Sequence, residues 1–300
     1  MASRTKIVIS ASRRTDIPAF YLKWFMARLD RGYFTVTNPY NRHISIVPAT
    51  PEKVHTIVFW SKNFGPFLKN KIGEKLQDCG YNLFFNFSIN SGAPLLEPHV
   101  PPLSVRLDQL ENLSRRFGAR AIHWRFDPIC FYTDGSERLY DNLQDFARIA
   151  DKASRSGIER CITSFMDHYP KIGRRTDSKP GFDFCDPPLE HKIATILEME
   201  NRLRLLNIRL YTCCEKEIIA GLPPQSLVSP SACIPGGLLE AIYGGGLILK
   251  RDAGQRIKRG CQCTVSSDIG SYDRHPCYHN CLFCYANPKE DRPERLAARH

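Results

Sequence analysis

No hydrophobic run in this chain is long enough to cross a membrane. A spanning helix needs about 20 mainly apolar residues, and the best candidate, Gly236 to Leu249, carries Glu240 in its middle. No secretory leader is expected either: the apolar run in MASRTKIVISASRR is short and ends at Arg13 and Arg14. The expectation is a cytoplasmic protein without membrane contact. Familiar catalytic signatures are equally absent. No Gly-x-Gly-x-x-Gly follows a strand-like run, and Gly244–Gly246 lacks the flanks of a phosphate loop. There is no Gly-x-Ser-x-Gly elbow, and His123, His168, His275 and His279 show no H-x3-H spacing. Dinucleotide-dependent hydride transfer and serine hydrolysis are therefore not expected. Internal repeats and low-complexity tracts are also lacking.

Acidic residues are in the minority, 31 against 42 Lys and Arg, for a net charge of +11. That balance favours an anionic partner or substrate, small molecule or nucleic acid, and says nothing of fold. The basic residues are dispersed in pairs such as Arg115–Arg116 and Arg174–Arg175, so there is no basic tail.

Cysteine is what the chain has in excess, 12 in 300 residues. A reducing compartment argues against a disulfide framework. Cys79, Cys130, Cys161 and Cys185 are scattered singly and read as small hydrophobes. The other eight crowd into the last third, a gradient that suggests metal.

Strand-like runs alternate with helical ones. Lys6–Ser12, Phe34–Thr37, Thr56–Trp60, Asn82–Ile89, Ala121–Phe126, Arg160–Phe165 and Ile208–Thr212 read as strands, and Cys263–Ile269 as an eighth. Helices are expected from Asp16 to Gly32, over Pro66–Cys79, after a Ser104 cap, over Ser136–Ser156 with Leu139 inward, and over Leu189–Leu206. The alternation predicts an α/β fold with a parallel sheet, a (β/α)8-like barrel in preference to an open doubly wound sheet. Residues 1–215 would form the barrel core and 216–300 a cysteine-rich segment packed on it. Two long connections, Ser91–Pro102 and Asp167–Pro188, stand out, and the second is a candidate lid.

Near the C-terminus, CYHNCLFCYAN (277–287) spaces Cys277, Cys281 and Cys284 as C-x3-C-x2-C. Three thiolates on one short loop can hold three irons of a [4Fe–4S] cube and leave the fourth open to a small ligand. Structural zinc prefers four ligands, often in C-x2-C pairs. Zinc and metal-free packing remain the alternatives. Cys214, Cys233, Cys261 and Cys263 make a second set of four, suited to a closed auxiliary cluster or to zinc. Cys213 and Cys214 would face opposite ways on a strand, so only one is expected at the site.

The motifs ISASRRTDIPAFY (9–21), VFWSKN (58–63), RFDPI (125–129), CCE (213–215), GQR (254–256), CQC (261–263), SSDIGSY (266–272) and CYHNCLFCYAN (277–287) resemble the domain of unknown function 1848 family over most of the chain. Its terminal cysteines are similar to those of radical S-adenosylmethionine (SAM) enzymes. That resemblance implies a cube on Cys277, Cys281 and Cys284, with Phe283 beside it and SAM on the open iron. An electron donor such as flavodoxin or ferredoxin would drive cleavage of SAM to methionine and a deoxyadenosyl radical. Two features depart from that class. The motif stands at the end of the chain, which a circular permutation would explain, with Cys263–Ile269 preceding the cluster loop. No Gly-Gly-Glu segment is present to hold SAM's amino group, and Asp16 or Asn63 would have to take its place.

Barrel enzymes draw catalytic groups from the carboxyl ends of strands. Arg13, Arg14, Asp16, Arg125, Asp127 and Glu215 fall there. The arginines suit a clamp on a carboxylate or phosphate, while an Arg14–Asp16 ion pair or a turn at Asp127–Pro128 would be purely structural. Two further functions stay open: a redox or regulatory iron–sulfur protein without SAM chemistry, and a zinc-stapled nucleic-acid-binding protein.

Overall fold

The computed structural model describes residues 5–177 and 179–286. In chain order the first elements are β1 (Ile7–Ala11), α1 (Ile17–Phe20), α2 (Leu22–Asp30), β2 (Tyr33–Thr37), β3 (Ile44–Pro48), β4 (Val54–Ser61), α3 (Gly65–Lys69), α4 (Ile72–Asp78) and β5 (Asn82–Ser88). Next come α5 (Leu103–Phe117), β6 (Ile122–Ile129), β7 (Phe131–Asp134), β8 (Tyr140–Asp141), α6 (Phe146–Arg155), β9 (Arg160–Phe165), α7 (Pro170–Thr176) and β10 (Phe182–Cys185). The last are α8 (Leu189–Arg204), β11 (Arg209–Thr212), α9 (Lys216–Gly221), β12 (Ser229–Pro230), α10 (Gly236–Tyr243) and β13 (Ser267–Asp268).

Eight strands form one sheet in the order β12-β11-β9-β6-β5-β4-β1-β13, every neighbouring pair parallel. This is the strand order of a singly wound barrel. No ladder joins β12 to β13 among the described residues, so the barrel expectation is met in strand order and not in closure. Two backbone hydrogen bonds cross the gap, Gln262 N to Ser231 O at 3.3 Å and Thr264 N to Ile234 O at 3.1 Å. Both edge strands, β12 and β13, come from the chain after Glu215.

Both faces of the sheet are covered, the outer one apolar and the inner one mixing apolar residues with buried Ser10, Thr56, Asn86, His123 and Arg125. On the outer face Ile57, Phe59, Phe85, Phe87, Trp124 and Phe126 pack beneath the helices. On the inner face Val8, Val58, Phe84 and Ile162 meet Leu239 of α10 and four of the cysteines. Backbone and side-chain bonds from the end of α10 reach the amino ends of the strands: Tyr243 Oη donates to Leu83 O at 2.5 Å, and Lys6 N to Gly246 O at 2.7 Å. That end of the sheet is thereby plugged.

Several expected elements differ. Phe34–Thr37 lies outside the main sheet, in a hairpin of β2 with β3, where alternate residues are exposed. The sheet instead gains β12, at its edge beside β11, two residues long and too short to register as periodicity. The eighth strand shrinks from Cys263–Ile269 to Ser267–Asp268. The helix after Asp16 breaks at Tyr21, and the one over Pro66–Cys79 breaks at Lys71, whose φ of 51° is left-handed. α5 opens after Pro102, so Ser104 is inside it and not its cap. Helix α6 begins only at Phe146. Asp134 and Asp141 side chains capture Ser136 N at 3.2 Å and Leu143 N at 2.8 Å, turns that compete with helix, and Leu139 is 43% exposed.

Candidate metal centre

Loop 277–284 follows β13 and lies over the carboxyl ends of β1, β4 and β5, the face where α/β sheets place their ligands. It is fastened by residues that follow those strands. Tyr21 Oη donates to Pro276 O at 2.6 Å, His99 N to His279 O at 3.2 Å, and Leu282 N to Leu96 O at 2.9 Å. Asn280 turns the loop with a left-handed φ of 52°. The predicted lid packs on it: α7 and β10 bring Ile172, Phe182 and Phe184 against Leu96, Leu282 and Phe283. From α7, Arg175 donates to Cys281 O at 3.0 Å and also to Cys284 O.

Cys277, Cys281 and Cys284 are close enough to feel one another's charge, and the Lys62 ammonium acts on all three. Burial pushes each thiol up, and Lys62 opposes it. Lys62 lies 5.3 Å from the Phe283 ring centroid and 2.6 Å from Glu97 Oε1. Arg106 stands 3.7 Å from the other oxygen of that carboxylate. Glu97 and His99 belong to the long Ser91–Pro102 connection, where no motif distinguishes them. Among the described residues no group of three or more His, Cys, Asp or Glu is arranged as a ready site for one metal ion. A cube draws its cysteines to separate corners, and the donor set of the loop, three thiols beside the partly buried Lys62 ammonium, fits that chemistry. Asn287, the last residue of the motif, lies outside the described residues.

The polar residues at the strand ends serve different partners. Asp16 Oδ1 caps α1 through Ala19 N at 2.9 Å and accepts from Ser61 Oγ at 2.7 Å; its Oδ2 accepts from Lys62 N and His279 Nε2, both at 2.8 Å. Arg14 donates to Gly270 O at 3.0 Å and sits 3.8 Å from Asp268, so its ion pair is with Asp268 and not with Asp16. Asn63 Oδ1 accepts from Gly65 N and Gln109 Nε2, both at 2.9 Å. Asp127 pairs with Arg125 and accepts from Ser164 Oγ. Glu215 accepts from Phe165 N at 2.9 Å, and burial pushes its carboxyl up to about 7.

The second cysteine set converges inside the sheet's curve. Cys213 Sγ lies 3.8 Å from Cys214 Sγ and 3.7 Å from Cys233 Sγ. Thiol–thiol contacts continue from Cys233 to Cys263, from Cys263 to Cys261 and from Cys261 to Cys214, closing a ring of five. The expectation that only one of Cys213 and Cys214 faces the site is thereby corrected. β11 ends at Thr212, and Cys214 takes a left-handed φ of 65°, so strand alternation no longer separates the neighbours. Two guanidiniums face the cysteine ring, both beside Trp60. Arg13 lies 5.5 Å and Arg125 5.3 Å from its ring centroid. Arg125 Nη1 donates to Cys233 Sγ at 2.7 Å, and Arg13 contacts Cys263 and donates to Ser266 Oγ at 3.2 Å. Trp60 carries no sequence signal for this role.

A family model described as a domain of unknown function (DUF1848) matches residues 8–286. No curated protein matches the chain.

Proposed function

From the premise that the chain belongs to the DUF1848 family, whose description assigns no reaction, we propose a function resting on its own site: an iron–sulfur enzyme of the radical SAM type. The observation that carries this reading is the gathering of Cys277, Cys281 and Cys284 on one loop, beside Lys62, at the carboxyl end of a parallel sheet. A [4Fe–4S] cube bound there would supply one-electron reduction of SAM at an iron that the protein leaves free. The chain's own residues would do the rest. Lys62 would offset the negative charge of a thiolate-held cluster, Arg175 would hold two carbonyls of the loop, and the lid would exclude water. β13 lies parallel beside β1, immediately before the loop, which is the arrangement a circular permutation calls for. An anionic substrate, small molecule or nucleic acid, suits the net charge of +11.

A redox or regulatory iron–sulfur protein without SAM chemistry is the second reading, and one observation favours it. Both candidates for SAM's amino group have their carboxylate or amide oxygens engaged, Asp16 on α1, β4 and His279, Asn63 on α3 and Gln109. Anaerobic reconstitution with iron and sulfide, followed by SAM and dithionite, separates the readings. Brown protein that releases methionine and 5′-deoxyadenosine supports the enzyme. Brown protein inert to SAM supports the second reading, and protein that takes up no iron refutes both.

A further inference from the structure

Five thiols in mutual contact are unusual as packing. The buried alternative, five small hydrophobes filling the sheet's inner face, explains their low exposure but not their company. Arg13 and Arg125 both aim guanidiniums at the ring, and a buried cation needs a facing anion. Asp127 answers Arg125. Asp268 directs its oxygens to Arg13 N at 2.7 Å, Ser10 Oγ at 3.1 Å, Ser12 Oγ and Gly270 N at 3.2 Å, a knot tying β13 to β1. The Arg13 guanidinium itself faces Trp60, Ser266 and the thiols, with the charge of Asp268 also acting on it.

We propose that the ring formed by Cys213, Cys214, Cys233, Cys261 and Cys263 is a second metal site, separate from the 277–284 loop, which takes a single thiophilic ion, zinc by its ligand chemistry. The spacing points to one ion rather than a cube. A tetrahedral centre with metal–sulfur bonds of about 2.3 Å has sulfur–sulfur edges of about 3.8 Å, and the Cys213–Cys214 and Cys213–Cys233 separations are 3.8 and 3.7 Å. The thiols stand edge to edge around the ring. Four of them turning inward would close the shell on the ion and release their protons. A divalent ion with four thiolates carries two negative charges, and the guanidiniums of Arg13 and Arg125 face them, Arg125 while also paired with Asp127. With four sulfurs bound and no open position, the site is structural. It would pin the segments 213–214, 233 and 261–263 across the gap between β12 and β13.

The inference goes beyond the loop reading and stands without it. The test therefore uses the full chain with Cys277→Ala, Cys281→Ala and Cys284→Ala combined, which removes the loop's ligands. Purified reduced and anaerobically, this variant is expected to bind one zinc per chain by elemental analysis, and cobalt in its place should give the visible bands of a tetrahedral thiolate complex. Adding Cys261→Ser with Cys263→Ser should abolish both while the far-ultraviolet dichroism persists. Should that variant unfold, Cys233→Ser alone is expected to weaken zinc at least tenfold in competition with a chromophoric chelator, whereas the exposed Cys79→Ser leaves it unchanged. A folded triple variant that holds no zinc overturns the proposal. So does one that takes up iron with sulfide instead, or one whose zinc survives loss of the ring cysteines. Failure of the wild-type loop to hold iron would leave this outcome untouched.

Discussion

Asp16 Oδ2 accepts a 2.8 Å hydrogen bond from His279 Nε2, joining positions 263 residues apart. The same carboxylate caps α1 and receives the amide of Lys62. One buried side chain thus fixes the turn after β1, the end of β4 and the middle of the cysteine loop. Asp16→Ala should lose a cap worth about 1 kcal/mol and several buried hydrogen bonds of about 1 kcal/mol each. The expected result is a stability loss of about 2–4 kcal/mol by denaturant titration. With the proposed cluster reconstituted on the loop, faster removal of its iron by a chelator should accompany it. Unchanged stability would show that the carboxylate is not the organiser its contacts describe.

Glu97 sits between two cations, 2.6 Å from the partly buried Lys62 and 3.7 Å from the buried Arg106. Removing the anion from such a set leaves uncompensated charge, at a cost of about 3–5 kcal/mol. Glu97→Gln is expected to fall in that range by chemical denaturation. A loss below about 1 kcal/mol would mean that water reaches the cations.

The lid offers a backbone test. Gly181 has a φ of +76°, and a Cβ there would meet Gly135 Cα at 2.9 Å and Asp134 O at 3.3 Å, backbone atoms that cannot swing aside. Gly181→Ala should therefore separate β10 from β7 and cost about 1–3 kcal/mol. Limited proteolysis is the direct measurement, with faster cleavage expected between Asp167 and Pro188. Wild-type cleavage rates would place the lid's order elsewhere.

His123 gives a pH dependence of known sign. It is buried, neither ring nitrogen is hydrogen-bonded, and it faces a cavity of about 630 Å³. Burial, reinforced by Arg160 and Arg125, holds its pKa down at about 3 against an ordinary 6.5. Between those values the unfolded chain binds a proton that the folded chain does not, so stability falls as pH falls. The slope from this group is about 1.4 kcal/mol per pH unit. His123→Gln should remove it in unfolding titrations run at successive pH values below 6.5. An identical slope in the variant would show that another group carries the acid sensitivity.

The parallel sheet was legible because short apolar and aromatic runs such as those of β4 and β5 alternate with helical patterns along the chain, although β6 carries His123, Arg125 and Asp127 on one face. β12 was not, since two residues carry no period, and Phe34–Thr37 mimics a sheet strand until its antiparallel partner is seen. The C-x3-C-x2-C loop could be picked out by spacing alone. The ring of five could not be closed from spacing, because Cys213, Cys233 and Cys263 meet only through the folding of the sheet, and strand alternation misassigns Cys213 until the turn at Cys214 is known. Lys62 follows a predicted strand, whereas Glu97 and Trp60 acquire their roles only from what faces them.

The pairing of β13 with β1 has a consequence for biosynthesis. During translation the first strand emerges early and finds β4 on one side. Its other edge stays unsatisfied until Ser267 and Asp268 leave the ribosome, an interval in which an open parallel edge invites misassociation. The loop cysteines follow later still. Loading of the proposed metals would therefore be a late event acting on a nearly finished domain, and a nascent chain stalled before β13 should be a client for chaperones rather than for iron or zinc.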